Sequence, residues 1–238
     1  MSDHSSIEWT EATWNPTSGC TKVSPGCERC YAERMALRFP NTFRNGFALT
    51  LRPDALELPL HWRRPRTIFV NSMSDLFHAN VPDSYIRQVF DVMTRTPQHT
   101  YQVLTKRAER LARLAPRLPW PSNVWMGVSV ETPKYAWRID YLRNTSAVVR
   151  FISAEPLLAA LPNLNLEDIH WVIAGGESQP GARAAATDWF GDLRDQCVRA
   201  GVAFFLKQLG GHPSKRGGDK ATLDGRRWIE LPVINGTN

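Results

Sequence analysis

The chain carries 238 residues, 42% of them apolar and 22% charged, which excludes a disordered or fibrous protein and leaves room for one sizeable core. No apolar run approaches the roughly 18 residues of a membrane helix, and the start has no basic stretch followed by an apolar one, so neither a membrane span nor a secretory signal is expected. A formal charge of +6 points to an anionic partner, nucleic acid first, and four cysteines in a chain expected to be cytoplasmic read as metal ligands or core thiols.

An extended run over residues 9–17 opens the chain and leads into Cys20, Cys27 and Cys30, after which a helix is expected to start near Cys30. Residues 47–51 form a further candidate strand. From there the pattern alternates. Short apolar runs at 68–70, 101–104, 124–128, 148–152, 171–174 and 203–206 have the continuous hydrophobicity of parallel strands covered on both faces. Helical spacing lies between them: Ile86, Val89, Phe90 and Met93; Leu111, Leu114, Ala115 and Leu118; Tyr135, Ile139 and Leu142; Phe190, Leu193 and Cys197. Asp188 is the expected N-cap of the last helix and Gly201 its C-cap. Repeated strand–helix–strand units imply parallel pairing with right-handed crossovers, hence an α/β fold, a full or partial TIM-like β/α barrel. A doubly wound open sheet is the alternative, weakened by the lack of Gly-x-Gly-x-x-Gly after the first strand. The barrel-type domain is assigned to residues 1–210 and a basic, Gly-rich C-terminal extension to 211–238.

Polar residues follow each of the six later strands. Asn71, Ser72, Ser74 and Asp75 follow the first, then Thr105, Lys106 and Arg107, then Ser129 and Glu131. Ser153 and Glu155 follow the next, then Gly175, Gly176, Glu177 and Ser178, and finally Lys207 and Gln208. A parallel sheet gathers all its carboxyl ends on one face, so this face is the expected active site. Glu131, Glu155, Glu177 and Lys207 are the candidate catalytic groups.

The cysteine loop enters the same face. Its spacing, Cys20-x6-Cys27-x2-Cys30, suits thiolates wrapping one metal centre, with Ser24-Pro25-Gly26 supplying a turn. Zinc would call for a fourth ligand, with His78 or Cys197 as candidates; Cys197 falls on the apolar face of its helix and reads as a core thiol. Three thiolates suit a 4Fe–4S cluster with one open iron.

A three-cysteine loop after the first strand of a β/α barrel resembles the radical S-adenosylmethionine (SAM) superfamily, although the first gap here is six residues where that superfamily usually has three. Along its whole length the chain also resembles a family of phage and prophage proteins of unassigned function, known by a three-cysteine motif. The matching stretches run from Trp14 to Cys20, Cys27 to Ala32, Ser72 to Phe77, Leu104 to Arg107, Gly127 to Glu131, Ser153 to Leu158, Gly175 to Ser178 and Phe205 to Gln208. The first resemblance implies that Cys20, Cys27 and Cys30 hold the cluster, that its open iron binds SAM, and that one electron then cleaves SAM to a 5′-deoxyadenosyl radical. It further implies a methionine-amino site at Gly175, Gly176 and Glu177, a ribose site at Ser129 and Glu131, and an electron donor as partner. Ser72 and Ser74 join these as cofactor-binding candidates.

The sequence thus supports a radical SAM-like enzyme acting on nucleic acid or a nucleotide, the basic stretches 106–117 and 207–227 being its phosphate-binding candidates. Two other readings stand: a zinc- or cluster-stabilised nucleic-acid-binding protein without catalysis, and a carboxylate-based metal-dependent hydrolase.

Overall fold

In a computed structural model that describes Ser5 and residues 7–233, seven parallel strands follow one another in chain order around a half-barrel. They are β1 (Ala12–Trp14), β2 (Thr67–Val70), β3 (Thr100–Thr105), β4 (Val124–Ser129), β5 (Val149–Ala154), β6 (Trp171–Gly175) and β7 (Ala203–Gln208). Each pairs in parallel with its sequence neighbour. This is the partial β/α barrel that the alternating pattern predicts. Residues 234–238 of the C-terminal extension lie outside the described residues.

The strands are short and apolar because both faces are covered. Outward side chains such as Ile68, Val103, Met126, Ile152 and Phe204 join the outer core, which takes up Ile86, Val89 and Phe90 of the helix Asp83–Arg95 and Phe190, Leu193 and Cys197 of the helix Thr187–Ala200. The alternate residues point inward. Phe69, Trp125, Phe151, Trp171, Ile173 and Phe205 fill the concave side, together with Trp9. Gly127 belongs to that layer, where a Cβ would stand 2.4 Å from the Phe151 ring. Every residue of β4 and of β6 is buried, as the period-two logic of a doubly covered strand requires.

Several elements depart from the expected bounds. The run 9–17 splits, because Pro16 has no N–H for the ladder: Ala12–Trp14 enters the sheet, while Thr17–Ser18 pairs antiparallel with Thr50–Leu51 at the barrel mouth. The 47–51 run therefore lies outside the main sheet. The helix through Leu111 ends at Leu114 and finishes as a tight turn, Ala115–Arg117, since Pro116 cannot continue the hydrogen-bond ladder. Tyr135 sits in a separate turn, Pro133–Tyr135, before the short helix Arg138–Arg143. The last helix begins at Thr187, so Asp188 occupies its first turn, where its charge suits the helix dipole, and the N-cap position falls to Ala186. Gly201 does end that helix, at φ +66°.

The sheet does not close among the described residues. Its last edge is covered by the chain itself: Leu206 donates its N–H to the Trp228 carbonyl at 2.7 Å, and Glu230 donates to the Phe204 carbonyl at 3.1 Å. Ala221 and Leu223 of the same tail enter the outer core. Glu8, beside the first strand, accepts from the Gly218 N–H at 3.1 Å and pairs with Arg227 at 3.6 Å, linking the two ends of the open barrel. A covered edge offers no template for another strand.

Candidate metal centre

A cavity of about 490 Å³ opens at the carboxyl ends of the strands, and Cys20, Cys27 and Cys30 all line it. None of the three is in a disulfide, and each is half-buried. The loop that carries them is held by the strand ends beneath. Ser24 donates to Glu131 at 2.5 Å, and its hydroxyl lies 3.7 Å from the Cys27 sulfur. Glu131 itself is fully buried; Lys106 pairs with one of its oxygens at 2.8 Å and Arg138 with the other at 2.9 Å. Burial alone would raise its pKa, but Lys106, Ser24 and Arg138 outweigh it and hold the carboxyl below its ordinary value. A Cβ on Gly26 would meet the Glu131 carboxylate at 2.6 Å, so glycine lets the loop rest directly on that carboxylate.

Two further carboxylates brace the loop. Arg107 donates to Asp75 at 2.9 Å and to the Thr21 carbonyl at 3.0 Å, and the same guanidinium lies 3.5 Å from the Cys20 sulfur. Glu177 receives Arg29 at 3.2 Å and the Arg183 backbone N–H at 2.8 Å, while Arg183 reaches on to the Pro25 carbonyl at 2.8 Å. Cys30 sits at the N-cap of the helix Tyr31–Arg38, near the free N–H groups of its first turn. Burial pushes the Cys20 and Cys30 thiols up, against the pull of Arg107 on the former and of the Glu33 and Ala32 N–H groups on the latter. Coordination to a metal deprotonates a thiol outright, so these shifts are no bar to ligation.

Among the described residues, no three His, Cys, Asp or Glu side chains are grouped to hold a single metal ion. A cubane cluster makes a different demand, since its thiolates grip separate corners. Three thiols around one cavity, a guanidinium on one and helix N–H groups at another fit that group. His78 is engaged elsewhere, its Nε2 lying 2.9 Å from the Thr21 hydroxyl. Cys197 is fully buried in the outer core, and burial pushes its thiol up to about 12.

A family described as "Protein of unknown function (DUF5131)" matches residues 4–232. The chain belongs to that family. No curated protein and no solved structure matches it.

In this DUF5131 chain Ser72, Ser74, Ser129, Gly176 and Glu177 line the cavity, as do Glu155 and Lys207. Lys207 donates to Glu155 at 2.8 Å, and Ser153 donates to its other oxygen at 3.2 Å. Gly175 lies just behind: a Cβ there would stand 2.7 Å from the Glu155 carboxylate. Glu131 lies behind the loop and does not line the cavity. Of the basic stretch 106–117, Lys106 and Arg107 are committed to Glu131 and Asp75, and Arg110 to the His78 and Val81 carbonyls and to Asp83 at 2.6 Å; Arg113 and Arg117 are exposed. Sequence reasoning missed Arg183, Ser24 and Arg138. Arg138 was legible as the cation that opens the helix nine residues after the end of β4; Arg183 sits in an irregular loop and carries no such signal.

No helix among the described residues is long and apolar enough to cross a membrane.

Proposed function

We propose that this chain is a 4Fe–4S protein of the radical SAM-like type, acting in the cytoplasm on a nucleotide or nucleic acid with an external electron donor. The resemblance to three-cysteine phage and prophage proteins belongs to the same proposal. One observation carries it: the three cysteines line one cavity at the carboxyl ends of a parallel half-barrel, among the polar residues of at least five strands. Cys20, Cys27 and Cys30 would hold the cluster. With SAM bound, such a cluster supplies a radical able to abstract hydrogen. Ser72, Ser74, Ser129, Gly176 and Glu177, which line the cavity, would contact SAM. Lys207 and Glu155, paired at 2.8 Å in the cavity, would exchange a proton with a substrate.

The hydrolase reading is weaker on this geometry. Asp75, Glu131, Glu155 and Glu177 each hold a cation of the chain, so they do not converge on a shared ion. The zinc-stabilised binding protein is separated by experiment. Protein purified without oxygen should carry about four irons and matching sulfide per chain. SAM should perturb the electron paramagnetic resonance spectrum of the reduced protein, and dithionite should release 5′-deoxyadenosine. Stoichiometric zinc without iron would overturn the proposal.

A further inference from the structure

The three thiols that line the cavity have unequal surroundings. Cys27 has the Ser24 hydroxyl at 3.7 Å, but that hydroxyl gives its one proton to Glu131. Cys30 is the N-cap of the helix Tyr31–Arg38 and meets the partial charge of the first-turn N–H groups. Cys20 meets a full charge: Arg107 Nη1 donates to its sulfur at 3.5 Å. The other cations lining the cavity are placed differently. Arg29, Lys106 and Lys207 are held by Glu177, Glu131 and Glu155, and Lys215 of the tail stands exposed. Among the described residues, Arg107 is the one lining cation within hydrogen-bond distance of a cysteine sulfur.

The guanidinium is fixed in that place. The same Nη1 donates to Asp75 at 2.9 Å, while Nη2 donates to the carbonyl and the hydroxyl of Thr21, each at 3.0 Å. Asp75 is held in turn by the Thr105 hydroxyl at 2.7 Å and by the N–H groups of Phe77 at 2.9 Å and Lys106 at 3.0 Å. The two side chains are only 11% and 8% exposed, so water and salt screen their charges little. As a thiol, Cys20 is itself a donor, its sulfur lying 3.5 Å from the Thr21 carbonyl. A metal-bound thiolate can only accept, and Arg107 is the donor already aimed at it.

We infer that Arg107 raises the reduction potential of the proposed cluster by holding a buried positive charge and a hydrogen bond on the Cys20 sulfur, which rests on the cluster reading proposed above. Hydrogen bonds to ligand sulfur and the net charge nearby are levers on such a potential. Reduction adds one electron, so a fixed cation favours the reduced form and a fixed anion the oxidised form. Asp75 shares Nη1 with Cys20, so its carboxylate acts on the same corner with the opposite sign. Arg107 acts through the Cys20 ligand and is a positioning residue, not a catalytic one. A mere brace for the loop would give Arg107 and Asp75 effects of the same sign, since losing either one undoes the same joint.

The test is a dithionite redox titration of anaerobically purified protein, reading the electron paramagnetic resonance signal of the reduced cluster against applied potential. Iron per chain and melting temperature are measured on every sample. Arg107→Gln should lower the midpoint. At the wild-type midpoint its ratio of reduced to oxidised cluster should fall about tenfold, the loss of one charge-assisted hydrogen bond. Asp75→Asn should raise the midpoint, and Arg107→Lys, which keeps the charge without the fork, should fall between wild type and Arg107→Gln. If Arg107→Gln holds no iron, Asp75→Asn and Arg107→Lys carry the test with the same expected directions. The inference is overturned if Arg107→Gln loads iron at an unchanged midpoint, or if Asp75→Asn fails to raise it. Iron lost from all three variants at an unchanged melting temperature would make Arg107 a brace only and overturns it too. Wild-type protein without iron gives no signal and defeats the cluster proposal together with this inference, whereas iron-loaded protein whose midpoint ignores these variants defeats this inference alone.

Discussion

Arg183 and Glu177 form the joint that fastens the cysteine loop to the sheet. The Arg183 backbone N–H donates to Glu177 at 2.8 Å and its Nε at 3.1 Å, and its guanidinium also holds the Pro25 carbonyl and Glu28. Pro25 and Glu28 flank Cys27, so this one side chain sets the position of a proposed ligand relative to the end of β6. Arg183→Ala should keep the fold and lose cluster. The expected outcome is a melting temperature within a few degrees of wild type, with iron per chain at least halved after desalting. Full iron retention would show that the loop needs no such fastening.

Glu177 also sets a pH dependence. Burial alone would raise its pKa, but Arg183 and Arg29 outweigh that and hold it below the ordinary value. A carboxyl with a depressed folded pKa contributes stability that is full above its unfolded pKa, about 4.3. That contribution is lost as pH falls through the lower folded value. The wild type should therefore melt above Glu177→Gln at pH 6, and the gap should close as the pH drops below about 4.3. Melts run with a chelator keep the cluster out of the comparison. A gap that widens on acidification would contradict the assignment.

Cysteine replacements should divide cleanly. Cys20→Ala, Cys27→Ala and Cys30→Ala should each abolish bound iron, because each removes one of three corner ligands. Cys197→Ala should keep full iron and cost about 1 kcal/mol, an ordinary core truncation. Iron lost from Cys197→Ala and retained in Cys20→Ala would reassign the ligands.

The half-barrel was legible because its signal is local. Val124 to Val128 and Trp171 to Ala174 are continuous apolar runs, and such runs demand cover on both faces. The polar residue after each strand was legible for the same reason, since parallel pairing alone brings those ends together. What the strand ends do to one another was not. The radical SAM resemblance implies a ribose ligand in Glu131, and the fold buries that carboxylate under Ser24 between Lys106 and Arg138, which lie 25 residues before it and seven after it. Only the closed geometry decides whether a carboxylate meets a substrate or a neighbouring cation. Likewise, nothing local in Lys215 says that the tail turns back to the cavity; that follows from the covered edge of β7.

The basic stretch 106–117 makes a graded prediction about nucleic acid. Lys106 and Arg107 are matched by buried carboxylates, and Arg110 is held by two backbone carbonyls and Asp83. Charges already neutralised at close range release few counterions on binding a polyanion. Arg113 and Arg117 are exposed and lie on the helix Ala108–Leu114 and the turn after it, pointing to them as the phosphate contacts of this stretch. If a strand binds here, Arg113→Ala/Arg117→Ala should lower the slope of log affinity against log salt by about two, at an unchanged melting temperature. Arg110→Ala should do the reverse, lowering the melting temperature and leaving the slope alone. Binding isotherms with single- and double-stranded DNA and RNA at several salt concentrations give both slopes. A slope that falls with Arg110→Ala and not with the outer pair would place the contact at the cavity mouth. If no nucleic acid binds even at low salt, these arginines serve only to solvate the helix face.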